Sequence, residues 1–322
     1  MREWLRCAAC ALSLLGCGSD AASEPVLDGG AAAAWPATLS EAGLFAEGAS
    51  GALAEGVRSY GVRHALWTDG VEKRRHLLLP PGASIDTSDA DGWVFPEGTR
   101  VFKDFLVLGE RVETRLLWKA GPTIEDCVFV SYLYRADGTD ADPVPEGQAD
   151  ARGTAHDVPG TMDCSRCHLG GADFVLGLGS QQLDRATFDA WTAEGVLPAG
   201  TPFAEPPGDA REQRVLGYLH GNCGHCHNDV HPLGSRFGLR LALPVGVTSV
   251  AEAPALTTSI DQPAAHSGLA GTDLIVVPGA PEASQLYVRM GLRDSTAMPP
   301  VGTELVDDDA LDDVEAWIRA LE

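Results

Sequence analysis

Two copies of Cys-x-x-Cys-His constrain this chain more than any other feature. They stand at Cys164-Ser165-Arg166-Cys167-His168 and Cys223-Gly224-His225-Cys226-His227. Two thiols about one helical turn apart can add to the two vinyl groups on one edge of a porphyrin. The histidine that follows then gives the iron an imidazole nitrogen. Other uses of paired cysteines fit less well. A thioredoxin-like redox pair needs a βαβ setting, and the residues around Cys164 do not have that pattern. A zinc ribbon would bring its second cysteine pair much closer to Cys167 than Cys223 is. The expectation is two covalently bound c-type haems. Cys164, Cys167, Cys223 and Cys226 would form the thioethers, and His168 and His227 would bind iron.

The other four cysteines do not form a disulfide framework. Cys7, Cys10 and Cys17 fall within the first twenty residues, and Cys127 stands alone as a small buried side chain on an expected strand. The N-terminus has a basic start (Arg2, Arg6) and a short apolar run from Cys7 to Leu15, ending in Leu14-Leu15-Gly16-Cys17. This is the layout of a secretory signal, and the run is too short to span a bilayer. Leu-Leu-Gly-Cys also resembles a bacterial lipobox, which implies cleavage before Cys17 and lipidation there. A plain signal peptide is the alternative. The expected segments are 1–16 as signal peptide and 17–34 as a flexible tether rich in Gly, Ala, Ser and Asp.

Residues 35–158 read as an antiparallel β domain, sandwich-like, within an α+β multidomain chain. Thr38 to Phe45 is expected to form a short helix. Strands are expected at Glu72–Leu79, Arg100–Leu108, Arg111–Trp118 and Cys127–Tyr134. Gly109-Glu110 is expected to be a two-residue type II′ hairpin loop. Lys73-Arg74-Arg75-His76 reads as the solvated face of a strand, with gripping a haem propionate as the alternative. No nucleophile elbow, His-Glu-x-x-His or phosphate-binding glycine loop occurs here.

Residues 159–205 form the first haem-binding segment, with a helix expected over Gln181–Glu194. The second ligand of this haem stays open among His64, His76, His156, His220, His231, His266 and Met290. Residues 206–322 read as an α-helical cytochrome c region. A helix should deliver Cys223, and a terminal helix from Asp307 to Leu321 presents Leu311, Val314, Ile318 and Leu321 on one face. Between them lies Ala297-Met298-Pro299-Pro300. The prolines stiffen this loop, and Met298 is expected as the axial ligand opposite His227. A core methionine filling a gap is the alternative.

The chain resembles a bacterial family of di-haem c-type cytochromes, secreted or lipid-anchored and of unassigned role. The resemblance rests on Leu66 to Gly70 with the basic run after it, Trp93–Phe105, Val112–Trp118, Val158–His168, Val175–Leu183 and Leu216–Asn228. The C-terminal part, with Met298-Pro299-Pro300, is similar to small class I cytochrome c domains. The resemblance implies the haem ligands named above and export, because bacterial c-type attachment takes place outside the cytoplasmic membrane. The expected location is therefore a lipid anchor in the periplasm or outer membrane.

The formal net charge of −23 disfavours nucleic acid and suits a basic redox partner, though acidity also serves solubility alone. Electron transfer is the expected function, and no catalytic residue is assigned. A di-haem peroxidase and a haem-containing binding or sensor lipoprotein are the alternatives. The peroxidase fits less well, because both motifs lie in the second half of the chain.

Overall fold

A computed structural model describes residues 34–265, 269 and 272–321. The expected signal peptide, Cys17, almost all of the tether and His266 lie outside the described residues. Within them, no helix is long and apolar enough to cross a membrane.

Six strands run β1 (Val57–Ser59), β2 (Glu72–Leu78), β3 (Arg100–Val107), β4 (Glu110–Lys119), β5 (Cys127–Tyr134) and β6 (Ala141–Pro143). They pair antiparallel in sequence order, as one meander. The sandwich expectation is corrected here: among the described residues the named strands form one sheet, and loops and helices cover its two faces. On one face Phe102, Leu116, Val128, Val130 and Tyr132 pack against Leu39, Leu44 and Phe45. Leu39 opens a single 3-10 turn at Leu39–Glu41, shorter than the helix expected there, and Leu44 follows it. On the other face Leu77, Val101 and Leu117 share a core with Trp93, Phe95, Val175, Leu183, Phe188, Trp191 and Leu197. The segment after the first motif therefore completes the core of the β domain.

The β3–β4 turn also differs from expectation. Val107 pairs with Glu110, so the loop is Leu108-Gly109, and both residues have positive φ (53° and 84°). That is the type I′ pattern, whose twist matches the flanking strands. Leu108 looks like a strand residue in the sequence but is fully in solvent.

The helices follow: α1 (Thr161–His168), α2 (Arg185–Ala193), α3 (Ala210–Asn222), α4 (Pro232–Phe237), α5 (Pro254–Thr257), α6 (Gln285–Met290) and α7 (Asp308–Ala320). The Asp184 carboxylate caps α2 by accepting from the Thr187 amide, and Phe188 and Trp191 fall one turn apart on its buried face. α3 starts with a reciprocal capping box between Asp209 and Glu212. Its Val215, Leu216 and Leu219 pack with Val314, Trp317 and Ile318 of α7 in a second core. Each such buried side chain contributes about 1.5–3 kcal/mol. The surface pair Arg214–Asp313 joins the same two helices and adds little by comparison. The apolar run Leu274–Val277 makes only isolated bridges.

Candidate functional site

The first motif lies entirely on α1. Gly160 is the N-cap, and its amide donates to the Asp163 carboxylate at the third helical position. An uninterrupted turn then sets Cys164 and Cys167 three residues apart on one side of the helix. The His168 Nδ1 is 2.5 Å from the Phe174 carbonyl oxygen, and the ring packs on Phe129 at 4.8 Å between centroids. Phe174 has φ +63°, which is unusual for a bulky side chain and turns the chain back toward His168. If Nδ1 carries the proton for this bond, Nε2 keeps a lone pair for a metal.

The second motif begins where α3 ends. Cys223 is the C-cap, and its amide donates to Leu219. Asn222, one residue earlier, is buried. Its side-chain oxygen accepts from the Trp67 amide at 2.6 Å, and its nitrogen donates to the Ala65 and Tyr218 carbonyls. The loop that starts at Leu66 also meets the segment after Met298. Asp69 Oδ1 accepts from the Glu304 and Leu305 amides, and Trp67 Nε1 donates to the Leu305 carbonyl. A β-domain loop thus ties the start of the second motif to the methionine loop. Met298 and Cys223 line one small crevice together with Met290, Tyr218, Asn222 and Arg293.

The two motifs, 59 positions apart in sequence, meet in space. Cys226 Sγ lies 3.5 Å from the Arg166 carbonyl, which also contacts His231 Nε2 at 2.9 Å. Asn228 Nδ2 donates both to Gly170, just past the first motif, and to Gly224 inside the second. Sulfur atoms of Cys167 and Cys226 and a ring nitrogen of His225 lie within 4.8 Å of one another. The Cys226 thiol, as donor, holds Cys167 well below the usual thiol range against the opposing effect of burial, and the His225 side chain acts in the same direction. The same bond, with burial, pushes Cys226 up. Burial pushes Cys164 up to about 11 and Cys223 up to about 12. Cys127 is a buried free thiol on β5, as expected.

Burial also lowers His168 and His227 to about 4, so both are neutral imidazoles at pH 7. His227 Nδ1 is buried without a hydrogen-bond partner among the described residues. A buried orphan nitrogen is costly unless something else satisfies it. Free thiols in pairs, neutral imidazoles with ligand atoms to spare and a methionine at the Cys223 crevice form a donor set that fits haem.

Several of the side chains expected as candidates for a second ligand at the first motif are already engaged. His156 is 2.8 Å from Glu113, and His76 contacts Ser59 and lies 3.7 Å from Asp104. His220 Nδ1 accepts from the Leu243 amide. His64 Nε2 is buried with no hydrogen-bond partner among the described residues, and its ring lies where a side chain at Gly217 would be. The sequence reading did not single out His225, Phe174 or Asp69's role. Their parts depend on which loops meet, which no local pattern encodes. No family model matches the chain, and no curated protein or solved structure matches it either.

Proposed function

We propose that this protein is a di-haem c-type cytochrome that carries electrons in the bacterial cell envelope, anchored by lipid on Cys17. The observation that carries the reading is the meeting of two Cys-x-x-Cys-His motifs across one shared contact. Each haem would supply a one-electron iron couple. The chain's own residues do the rest: Cys164 and Cys167 hold one porphyrin, Cys223 and Cys226 the other. The Phe174 carbonyl fixes the His168 ring, and burial keeps both proximal imidazoles neutral. Motifs in contact favour rapid exchange between the two centres, because electron tunnelling falls steeply with distance. The acidic surface suits a basic redox partner, with association that weakens as salt rises.

Pyridine haemochrome spectroscopy with intact mass on the matured protein tests this. Two haems per chain and lipid on Cys17 are expected, and colourless protein at the bare peptide mass sinks the reading. Met298→Ala should abolish the near-infrared sulfur-to-iron band and lower one reduction potential. If both features persist, Met298 only fills a core gap.

The cluster of Cys167, His225 and Cys226 favours a second reading, a thiolate metal site, since two thiolates and an imidazole suit zinc. Stoichiometric zinc without haem would establish it. Turnover of hydrogen peroxide by the reduced protein would instead favour the peroxidase.

A further inference from the structure

The sheet face that receives α1 carries an unusual row of charge. In register, Arg75 on β2 lies opposite Lys103 on β3, Lys103 opposite Arg115 on β4, and Arg115 opposite Ser131 on β5. Lys73 is two residues before Arg75 on the same face. Neighbouring strands are ~4.8 Å apart, so like charges stand directly side by side, an arrangement that destabilises a sheet unless something offsets it. Arg115 is paired with Glu113, which also meets His156. Among the described residues, Arg75 and Lys103 form no ion pair, and the Lys73 ammonium donates to the Leu66 carbonyl. Asp69 and Asp307 act on Lys73 from beyond ion-pair distance. Burial, and then the charges of Arg75, Arg115 and Lys73, push the Lys103 ammonium down to about 7. Ser131 at the end of the row is 3% exposed, and its hydroxyl has no hydrogen-bond partner among the described residues.

Cations crowded together, without enough carboxylates and beside a buried unsatisfied hydroxyl, suit an anion. Its place is informative. Lys103 interacts electrostatically with Cys167 and His168, and Arg115 with Cys164. The row therefore lies against the first haem motif. Arg74, the alternate residue on β2, is exposed and pairs with Glu72, so it belongs to the solvated face.

We propose that Lys73, Arg75, Lys103, Arg115 and Ser131 form a carboxylate-binding cradle that receives the propionates of the haem attached at Cys164 and Cys167. The cradle rests on the di-haem reading and adds a specific anchoring surface to it. It gives the basic run at residues 73–76 a role that alternates along the strand: inward residues bind, and Arg74 does not. It also explains why a β domain precedes the haem segment, since the sheet supplies the charge that the short α1 region does not.

Resonance Raman spectra of the holoprotein test the cradle through the propionate bending band, a direct report on hydrogen bonding to those carboxylates. Lys103→Met and Arg75→Leu should each shift that band for one haem, lower its reduction potential and lower the holoprotein's melting temperature. Arg74→Ala should leave all three unchanged. A full haem count with an unmoved band in both inward variants overturns the cradle but leaves the di-haem reading intact, whereas absence of haem removes the reading itself. A rise in melting temperature for Lys103→Met would also overturn the cradle, because it would mean that only repulsion was relieved. Titration with phosphate or sulfate separates the two anion sources: saturable spectral changes in the wild type that vanish in Lys103→Met would assign the row to a diffusible oxyanion and overturn the propionate assignment.

Discussion

Lys119→Met will lower the stability of the folded protein by about 3–5 kcal/mol, because it strands a buried carboxylate. The Lys119 ammonium contacts both oxygens of Asp173 at 2.5 and 2.6 Å and donates to the Phe95 carbonyl at 2.7 Å. Both side chains are under a tenth exposed. Asp173 Oδ2 also accepts the Phe95 amide at 2.6 Å, so one carboxylate joins β4, the segment before β3 and the chain just past the first motif. Removing the ammonium leaves this carboxylate buried with one amide donor. Lys119→Met with Asp173→Leu should recover part of the loss, since no isolated charge then remains. Chemical denaturation measures both. A single-variant loss below 1 kcal/mol would mean that water reaches the pair and screens it. The consequence extends to the site, since Asp173 immediately precedes Phe174, whose carbonyl holds His168. On the proposed di-haem reading, loosening the pair should therefore broaden or shift the absorption of the haem at the first motif while sparing the other.

Elements defined by their own periodicity were legible in the sequence. Cys127–Tyr134 is a strand at both expected ends, because Val, Phe and Tyr recur on a segment bounded by turns. α3 delivers Cys223, and α7 buries Val314, Trp317 and Ile318, because apolar residues three and four apart mark one helical face. What failed depends on partners far along the chain. Alternating strands are compatible with one sheet or two. The single meander is specified by which residues cover its second face, and these include Val175 to Leu197, assigned by sequence to a different segment. The hairpin loop was misplaced by one residue because Leu108 is apolar yet lies in a turn with positive φ. β6 lies in an Asp- and Pro-rich stretch and is held as a strand by pairing with β5. The site divides in the same way. The two Cys-x-x-Cys-His motifs are local patterns, visible at once. The approach of Cys167 to Cys226 and the row Arg75–Lys103–Arg115 need tertiary contact and strand register, which neither spacing nor composition supplies.

Gly170→Ala should disrupt the contact between the two motifs. A Cβ on Gly170 would overlap the carbonyl oxygen of His225, a backbone atom that cannot turn aside, and would lie 2.8 Å from its carbonyl carbon and 3.2 Å from Asn228 Nδ2. Relief requires one loop to retreat from the other, and both loops are pinned: Gly170 donates to Cys167, and Asn228 holds Gly170, Gly224 and His225 through one amide nitrogen. Overpacking of this kind costs about 1–3 kcal/mol, measurable as a lower denaturation midpoint. Gly179→Ala is the matched control, since nothing lies within 4 Å of its would-be side chain and its φ is not positive; it should change stability by no more than about 0.5 kcal/mol. The functional consequence is distinct from the loss of stability. If the motif contact sets the distance between two redox centres, Gly170→Ala will slow electron exchange between them while leaving each haem attached, because all four thiols and both proximal histidines remain. Equal midpoints for Gly170→Ala and Gly179→Ala would show that the motifs do not touch at this point, and the case for closely spaced centres would fall with it.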